Sequence, residues 1–435
     1  MSPELIGWSG LGGLLVLLAL QVPVAFAMFT VGLIGLVLLS GVNQAFSILA
    51  SETFSLATSA DLVIIPMFIL MGNIATEAGM SRRLYDAAHA WIGSIRGGLA
   101  SATIVGSAGF AALSGSSVAS ALTMGRVSLG EMDRFGYSQR LATGAVAAGG
   151  TLGILIPPST GFIIYAILTR ESIGRLFLAG VLPGLLLMVL FVATISIVVT
   201  LRPAYGPAGP RTSWREKLKA SLGALPISAV VLLTIGGIYT GLFSPVEAAA
   251  VGVVLTILFG LVDGELRARG LAKAVMDTVA TSATVLVILI AAQVMGPFIA
   301  LSHIPAVVGD ALTGLDLGPY GVLFMILLSY LVLGCFLEGF AMLVLTMPIF
   351  FPVITALGFD PIWFGVIVVL VLEMGLITPP VGINVFIVKS VAPQVALGEV
   401  FVGVMPFLVA MILAVVALVV FPQIALFLPN HMLGQ

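Results

Sequence analysis

Two Pro-Pro pairs interrupt apolar runs that are long enough to cross a bilayer, at Gly153-Ile-Leu-Ile-Pro-Pro-Ser159 and Gly375-Leu-Ile-Thr-Pro-Pro-Val381. Proline lacks an amide donor and clashes with the carbonyl one turn earlier, so each pair ends a helix partway through its run. Carbonyls and amides are then left unpaired at a depth where hydrocarbon cannot bind them. Such backbone is tolerated only where it is buried in protein or lines a polar cavity. Each break therefore has to be met by something polar from elsewhere in the chain.

Composition makes the surrounding medium a membrane. With 60% hydrophobic and 8% charged residues and a mean hydropathy of +1.23, the chain is excluded from the soluble globular class. A net charge of -2 gives no footprint for nucleic acid, and no basic run is long enough to act as a lipid-binding tail. The single cysteine, Cys335, rules out a disulfide framework or a cysteine metal cluster, and its expected role is that of a small buried hydrophobe. No Lys or Arg precedes Arg82, so the first apolar run lacks the basic flank of a cleaved signal and is expected to be retained as a span.

A window of about 20 residues, the length that crosses about 30 Å of hydrocarbon, places spans at Leu5 to Val22, Val24 to Ser40 and Ala60 to Gly79. An apolar run over 97–125 precedes a span at Leu141 to Thr169 that is broken at Pro157-Pro158. Further spans fall at Leu176 to Leu201, Leu222 to Gly241, Val246 to Val262 and Val275 to Leu301. A second apolar run, 319–357, precedes the broken span Trp363 to Val391 and a last span Val400 to Leu428.

The cations orient this string. Arg96 and Arg126 bracket the run 97–125 amid Arg82, Arg83, Arg134 and Arg140, so under the positive-inside rule both of its ends are cytoplasmic. That run is a re-entrant hairpin. Threading onward puts the loops holding Arg202 to Lys219 and Arg267 to Lys273 inside. The run 319–357 begins and ends outside, flanked by Asp310, Asp316 and Asp360. Of the 17 Lys and Arg, only Arg170 and Arg175 fall outside. The expectation is an all-α polytopic membrane protein of about ten spans and two re-entrant hairpins, with both termini outside.

The two hairpins open to opposite sides, so the halves are inverted repeats. The sequence agrees: Gly153 to Pro158 aligns with Gly375 to Pro380 at an offset of 222, and Leu122-Thr-Met124 aligns with Leu345-Thr-Met347 at 223. Gly180-Val-Leu-Pro183 matches Gly403-Val-Met-Pro406, also at 223. Interrupted helices at matching positions of two inverted halves mark the ion and substrate site of a secondary transporter.

The hairpin turns carry the polar side chains. Ser114, Ser116 and Ser117 flank Gly115 in the middle of an apolar run. Hydroxyl and carbonyl oxygens there suit a hard monovalent cation, while freed amides at the positive ends of half-helices suit a carboxylate. Ser101, Ser107 and Ser120 read instead as small residues that let helices approach closely. In the second hairpin the turn is Leu337-Glu-Gly-Phe340, and an acid at that depth is costly, which makes Glu338 a candidate cation ligand or proton carrier, the competing reading being a side chain that snorkels in a water-filled vestibule. Ser159 and Thr160 follow the first break, and Thr378, Gly382 and Asn384 surround the second. Asn384 offers both a donor and an acceptor, which fits contact with a bound anion or an ion-binding loop, with core packing as the competing reading. Glu373 approaches the second break without a role its spacing decides, and Glu247 reads as an acid at a helix start after Pro245. The three histidines are scattered, no His-Glu-x-x-His or Walker phosphate loop occurs, and no aspartate pair is expected at a shared depth. An intramembrane enzyme is disfavoured on those grounds, and no cofactor is expected.

The stretches Arg96-Gly-Gly98, Leu113-Ser-Gly-Ser-Ser117, Gly153 to Ser159 and Phe177-Leu-Ala-Gly-Val-Leu-Pro-Gly184 resemble the large membrane subunit of tripartite ATP-independent periplasmic (TRAP) transporters. So do Ser244-Pro-Val-Glu-Ala-Ala-Ala250, Gly358-Phe-Asp-Pro361 with Phe364-Gly365, and Gly375 to Gly382, in the family's order over nearly the whole chain. The resemblance implies a sodium-coupled importer of organic acids. Its partners would be a small four-helix membrane subunit, expected as a separate polypeptide, and a soluble periplasmic binding protein. It implies an elevator in which a transport domain, 97–175 and 302–392, moves against scaffold helices in 1–96 and 176–301, with 393–435 as a C-terminal helix. Carried over by position, one sodium site lies among Ser114, Gly115, Ser116, Ser117, Pro157, Ser159 and Thr160, and another among Glu338, Gly339, Thr378, Pro379 and Gly382. Substrate lies between the turns, near Ser116, Ser117, Thr160 and Asn384. The resemblance places the chain in a bacterial or archaeal inner membrane. A stand-alone divalent-anion symporter of related fold and a passive channel are the competing readings within transport.

Overall fold

A computed structural model describes residues 2–314, 317–335 and 337–432, the side chain of Thr313 excepted. Asp316, one of the acids flanking the second hairpin, lies outside the described residues. In chain order the helices are α1 (Pro3–Ala19), α2 (Val24–Ser40), α3 (Val42–Ala57), α4 (Ile64–Glu77), α5 (Met80–Ile92), α6 (Gly98–Ser114) and α7 (Ser117–Arg134). Then come α8 (Gln139–Leu155), α9 (Thr160–Thr169), α10 (Ile173–Leu201), α11 (Trp214–Tyr239), α12 (Pro245–Val262), α13 (Ala268–Leu301) and α14 (Ile304–Thr313). The chain finishes with α15 (Gly318–Gly334), α16 (Gly339–Ala356), α17 (Pro361–Gly375), α18 (Ile383–Val391), α19 (Leu397–Val420) and α20 (Gln423–Asn430). The described residues contain no strand. Eight stretches are long and apolar enough to span a membrane, α8 and α9 counting as one, and α1, α2, α6, α15 and α17 are shorter apolar helices.

Each of the ten expected spans coincides with a helix or a broken pair, and each apolar run is a hairpin, α6/α7 and α15/α16. Both ends of the first hairpin meet one loop: the Gly97 amide donates to the Gly206 carbonyl at 2.9 Å, and the Ser138 amide to the Tyr205 carbonyl at 2.9 Å. This run therefore leaves the membrane on the side it entered. The ends of the second hairpin also lie together, the Tyr320 and Phe359 rings being 5.5 Å apart. They sit on the opposite face. The Tyr165 hydroxyl, near the far end of α9 from the Ser138 side, donates to the Pro361 carbonyl at 2.7 Å. The inversion that the cations imply is thus built into the packing. Ion pairing on the basic face agrees, since Arg83 in the first turn of α5 bonds Asp263 at the end of α12.

Three helices fall where no element was expected: α3, α5 and α14. α3 carries Asn43, Gln44 and Glu52 and α5 carries Arg82, Arg83 and Asp86, so neither forms the continuous apolar window that marks a span. α14 is a single short helix of 10 residues begun by His303 at φ 57°. The last span is also divided, because Pro422 restricts the residue before it and α19 stops at Val420.

α8 and α17 form the centre. All of α17 from Ile362 to Gly375 is buried, as is nearly all of α8 from Leu141 to Leu155, and helices apolar on every face belong inside a bundle. α19 lies along α8 at backbone contact; a β-carbon on Gly144 would come within 2.2 Å of the Gly403 carbonyl oxygen.

Candidate functional site

At the first break, Ile156 is extended (φ -82°, ψ 123°), as a residue before proline is pushed to be, and α8 ends there. Ser159 then caps α9, its Oγ accepting from the Phe162 amide at 3.3 Å. The first hairpin turns beside it. Gly115 takes a left-handed conformation (φ 57°) to end α6, and Ser116 caps α7 by accepting from the Ala119 amide at 3.3 Å. The turn and the break are bonded to each other: Thr160 donates its hydroxyl to the Gly115 carbonyl at 2.7 Å. A β-carbon on Gly153 would lie 2.5 Å from the Ser116 carbonyl oxygen, so only glycine lets α8 approach this closely. Pro157, Ser159 and Thr160 are buried, and a largely apolar cleft of about 720 Å³, walled by α6, α10 and α11 and lined by Ile156, Pro157, Leu185 and Ile235 among others, opens beside this junction.

Four half-helices begin at these places: α7 after Ser116, α9 after Ser159, α16 after Glu338 and α18 after Gly382. Each presents a positive dipole end, while α6, α8, α15 and α17 present carbonyl ends. The structure thus brings Ser114, Gly115, Ser116 and Ser117 to Pro157, Ser159 and Thr160. Within that group the Ser114 hydroxyl is shared with Ser120 at 3.0 Å, which gives Ser120 a polar partner as well as a packing role.

The second junction is more open. The α15 and α17 backbones touch where the second hairpin turns, a β-carbon on Gly375 coming within 2.7 Å of the Gly334 Cα. Gly382 is left-handed (φ 62°), and the Thr378 hydroxyl donates to the Met374 carbonyl at 2.6 Å. Pro379 is exposed and Thr378 half-buried. The Glu338 side chain lines a groove with Thr281 and Thr284 of α13 and with Phe340, so it faces α13, and a β-carbon at Gly339 meets nothing within 4 Å.

Two buried polar side chains stand out. Asn384 is wholly buried, and neither its Oδ1 nor its Nδ2 has a hydrogen-bond partner, while its backbone N–H donates to the Leu376 carbonyl at 3.0 Å. Glu373 accepts from the Ser117 hydroxyl at 2.7 Å, joining the two halves across 256 residues. Spacing alone left Glu373 undecided. Its signal was chemical: it is the one acid between Asp360 and Glu399, on an otherwise apolar helix.

Two re-entrant hairpins seated against two interrupted helices, in inverted halves, define a membrane permease of the secondary-transport class. The fold recurs in the crystal structure of the Alcanivorax borkumensis YdaH transporter, described as having an unusual topology. That chain is 17% identical, with a TM-score of 0.61, over 89% of this chain and 90% of that one. Residues 11–424 match the family model for the DctM component of tripartite ATP-independent periplasmic transporters, and the chain belongs to that family. It is 38% identical to the C4-dicarboxylate TRAP transporter large permease protein DctM of Pseudomonas aeruginosa, over 88% of this chain and 89% of that protein. It is 32% identical to the sialic acid TRAP transporter large permease protein SiaM of Vibrio cholerae, over 100% of this chain and 99% of that protein. The protein is therefore a multi-pass large permease subunit for secondary transport, and both relatives are named as permeases rather than enzymes.

Proposed function

We propose that this subunit imports organic acids down a sodium gradient, by an elevator motion, from a soluble binding protein and in company with a small membrane subunit. One observation carries the reading. At the Gly115–Thr160 junction neutral oxygens and the starts of two half-helices converge, a combination suited to a hard cation and a carboxylate together. Sodium seated there draws the hairpin turn onto the break and so completes the place where the acid binds. The names of the two relatives support an acidic substrate, since a C4-dicarboxylate and sialic acid both carry carboxylates. The apolar cleft beside Pro157 supports sliding, because a polar interface could not part in hydrocarbon without stranding its hydrogen bonds.

In this reading the subunit sits in an inner membrane with both termini on the outer side. The test is uptake into proteoliposomes holding the subunit and its candidate small partner, with the binding protein added and the acid varied. Uptake should need both an inward sodium gradient and the binding protein. Equal rates in sodium and choline would end the sodium assignment. Full rates without binding protein would favour the stand-alone symporter.

A further inference from the structure

We infer that Glu373 is a positioning residue that fixes Ser117 as a cation ligand, so that the second half of the chain tunes the sodium site of the first. The inference rests on the sodium reading above. A serine hydroxyl has one proton and two lone pairs, and an ionised carboxylate, the form a neighbouring cation favours, can only accept. With its proton given to Glu373 Oε1 at 2.7 Å, Ser117 Oγ has acceptor capacity alone to offer the hairpin turn. That suits a cation. It does not suit a substrate carboxylate, which needs a donor, so Ser117 leaves the substrate set and stays in the sodium set.

The surroundings of Glu373 point the same way. The side chain is 1% exposed, and its Oε2 has no hydrogen-bond partner. Among the described residues its one polar partner is Ser117, and no ion pair reaches it. An ionised carboxylate without a counter-charge at this depth is costly. A cation on the far side of the Ser117 oxygen supplies that counter-charge one hydroxyl away. The placement also links the halves mechanically. α17 carries Glu373 and runs on to the second break, while Ser117 opens the helix that leaves the first hairpin turn.

The test uses sodium itself as the probe, read as the rise in thermal midpoint of the purified full-length chain with increasing sodium chloride at constant ionic strength. Glu373→Gln keeps the size and an acceptor but removes the charge, and its amide can donate to Ser117 and turn the serine proton toward the ion. It should raise the sodium concentration for half-maximal stabilisation by about tenfold, the scale of one charge-assisted hydrogen bond. Ser117→Ala should do the same, Ser117→Thr should titrate like the parent, and the double variant should be no worse than Ser117→Ala. A Glu373→Gln chain that starts less stable but titrates with the parent's sodium dependence would show a structural role only and overturn the inference. Shifts that multiply in the double variant would also overturn it, by making Glu373 an independent ligand. Should Glu373→Gln fail to fold, the serine pair decides: Ser117→Ala titrating like the parent refutes the proposal. A parent chain indifferent to sodium would bring down the function reading as well, whereas a sodium-responsive parent with an unshifted Glu373→Gln removes this inference alone.

Discussion

The Thr160 hydroxyl donates to the carbonyl of Gly115 at 2.7 Å, and the Thr160 amide reaches the same oxygen at 3.4 Å. The start of α9 is thereby tied to the turn between α6 and α7, and the freed backbone of the first break meets the freed backbone of the first hairpin. Two interruptions that are each untenable in hydrocarbon satisfy one another.

Replacing this hydroxyl isolates the tie. Thr160→Val keeps the shape and removes the donor, leaving the Gly115 carbonyl only the long amide contact. The expected cost is about 1 kcal/mol of stability, together with a higher sodium requirement for uptake. Thr160→Ser should restore both. Thermal melts and sodium-dependent uptake in proteoliposomes check the pair, and a Thr160→Val protein that matches the parent in both would show the bond to be incidental.

Close approach at Gly153 is a separate requirement. A β-carbon there would meet the Ser116 carbonyl oxygen at 2.5 Å and the Ser117 amide nitrogen at 2.8 Å, both backbone atoms that cannot swing away. Gly153→Ala should therefore cost about 1–3 kcal/mol, the usual penalty of overpacking, even though alanine favours helix. Gly223→Ala, on a helix where the added carbon meets nothing within 4 Å, is the control and should be neutral or stabilising. A melt in which the two substitutions behave alike would contradict the packing described.

Much of this arrangement was legible in the sequence, for a definite reason. Proline pairs and serines in apolar runs are rare enough to be informative, and the basic residues Arg96, Arg126 and Arg134 mark both ends of the first hairpin as belonging to one side. The breaks at Pro157 and Pro379 fall where proline chemistry puts them. Amphipathic helices such as α5 were not legible, because a hydropathy window averages their apolar and charged faces to nothing. The role of Glu373 stayed undecided in the sequence for another reason: its partner, Ser117, is 256 residues away, and only the fold brings them together.

Asn384 separates stability from function. A buried amide with no partner on either atom gains nothing from its polarity, so Asn384→Ala is expected to melt within about 1 kcal/mol of the parent. Uptake should nonetheless fall, since the amide then has no role left but to meet a ligand. A large loss of stability with unchanged uptake per folded molecule would make Asn384 a packing residue and remove it from the substrate site.

The groove at Glu338 tests whether the second hairpin travels. Phe340 of α16 and Thr284 of α13 line it together, one on the hairpin assigned to the moving part and one on a helix assigned to the scaffold. If these parts slide past each other during transport, joining them must stop the cycle without disturbing either part. In a Cys335→Ala background, Phe340→Cys combined with Thr284→Cys should react with a short bifunctional thiol reagent and lose sodium-driven uptake. Each single variant should keep its uptake under the same treatment, which excludes damage by modification alone. A reducible reagent should allow uptake to recover on cleavage, tying the loss to the bridge. Uptake at the untreated rate in fully bridged protein would mean that α16 and α13 stay together throughout the cycle, and the boundary between moving and fixed parts would have to be drawn elsewhere.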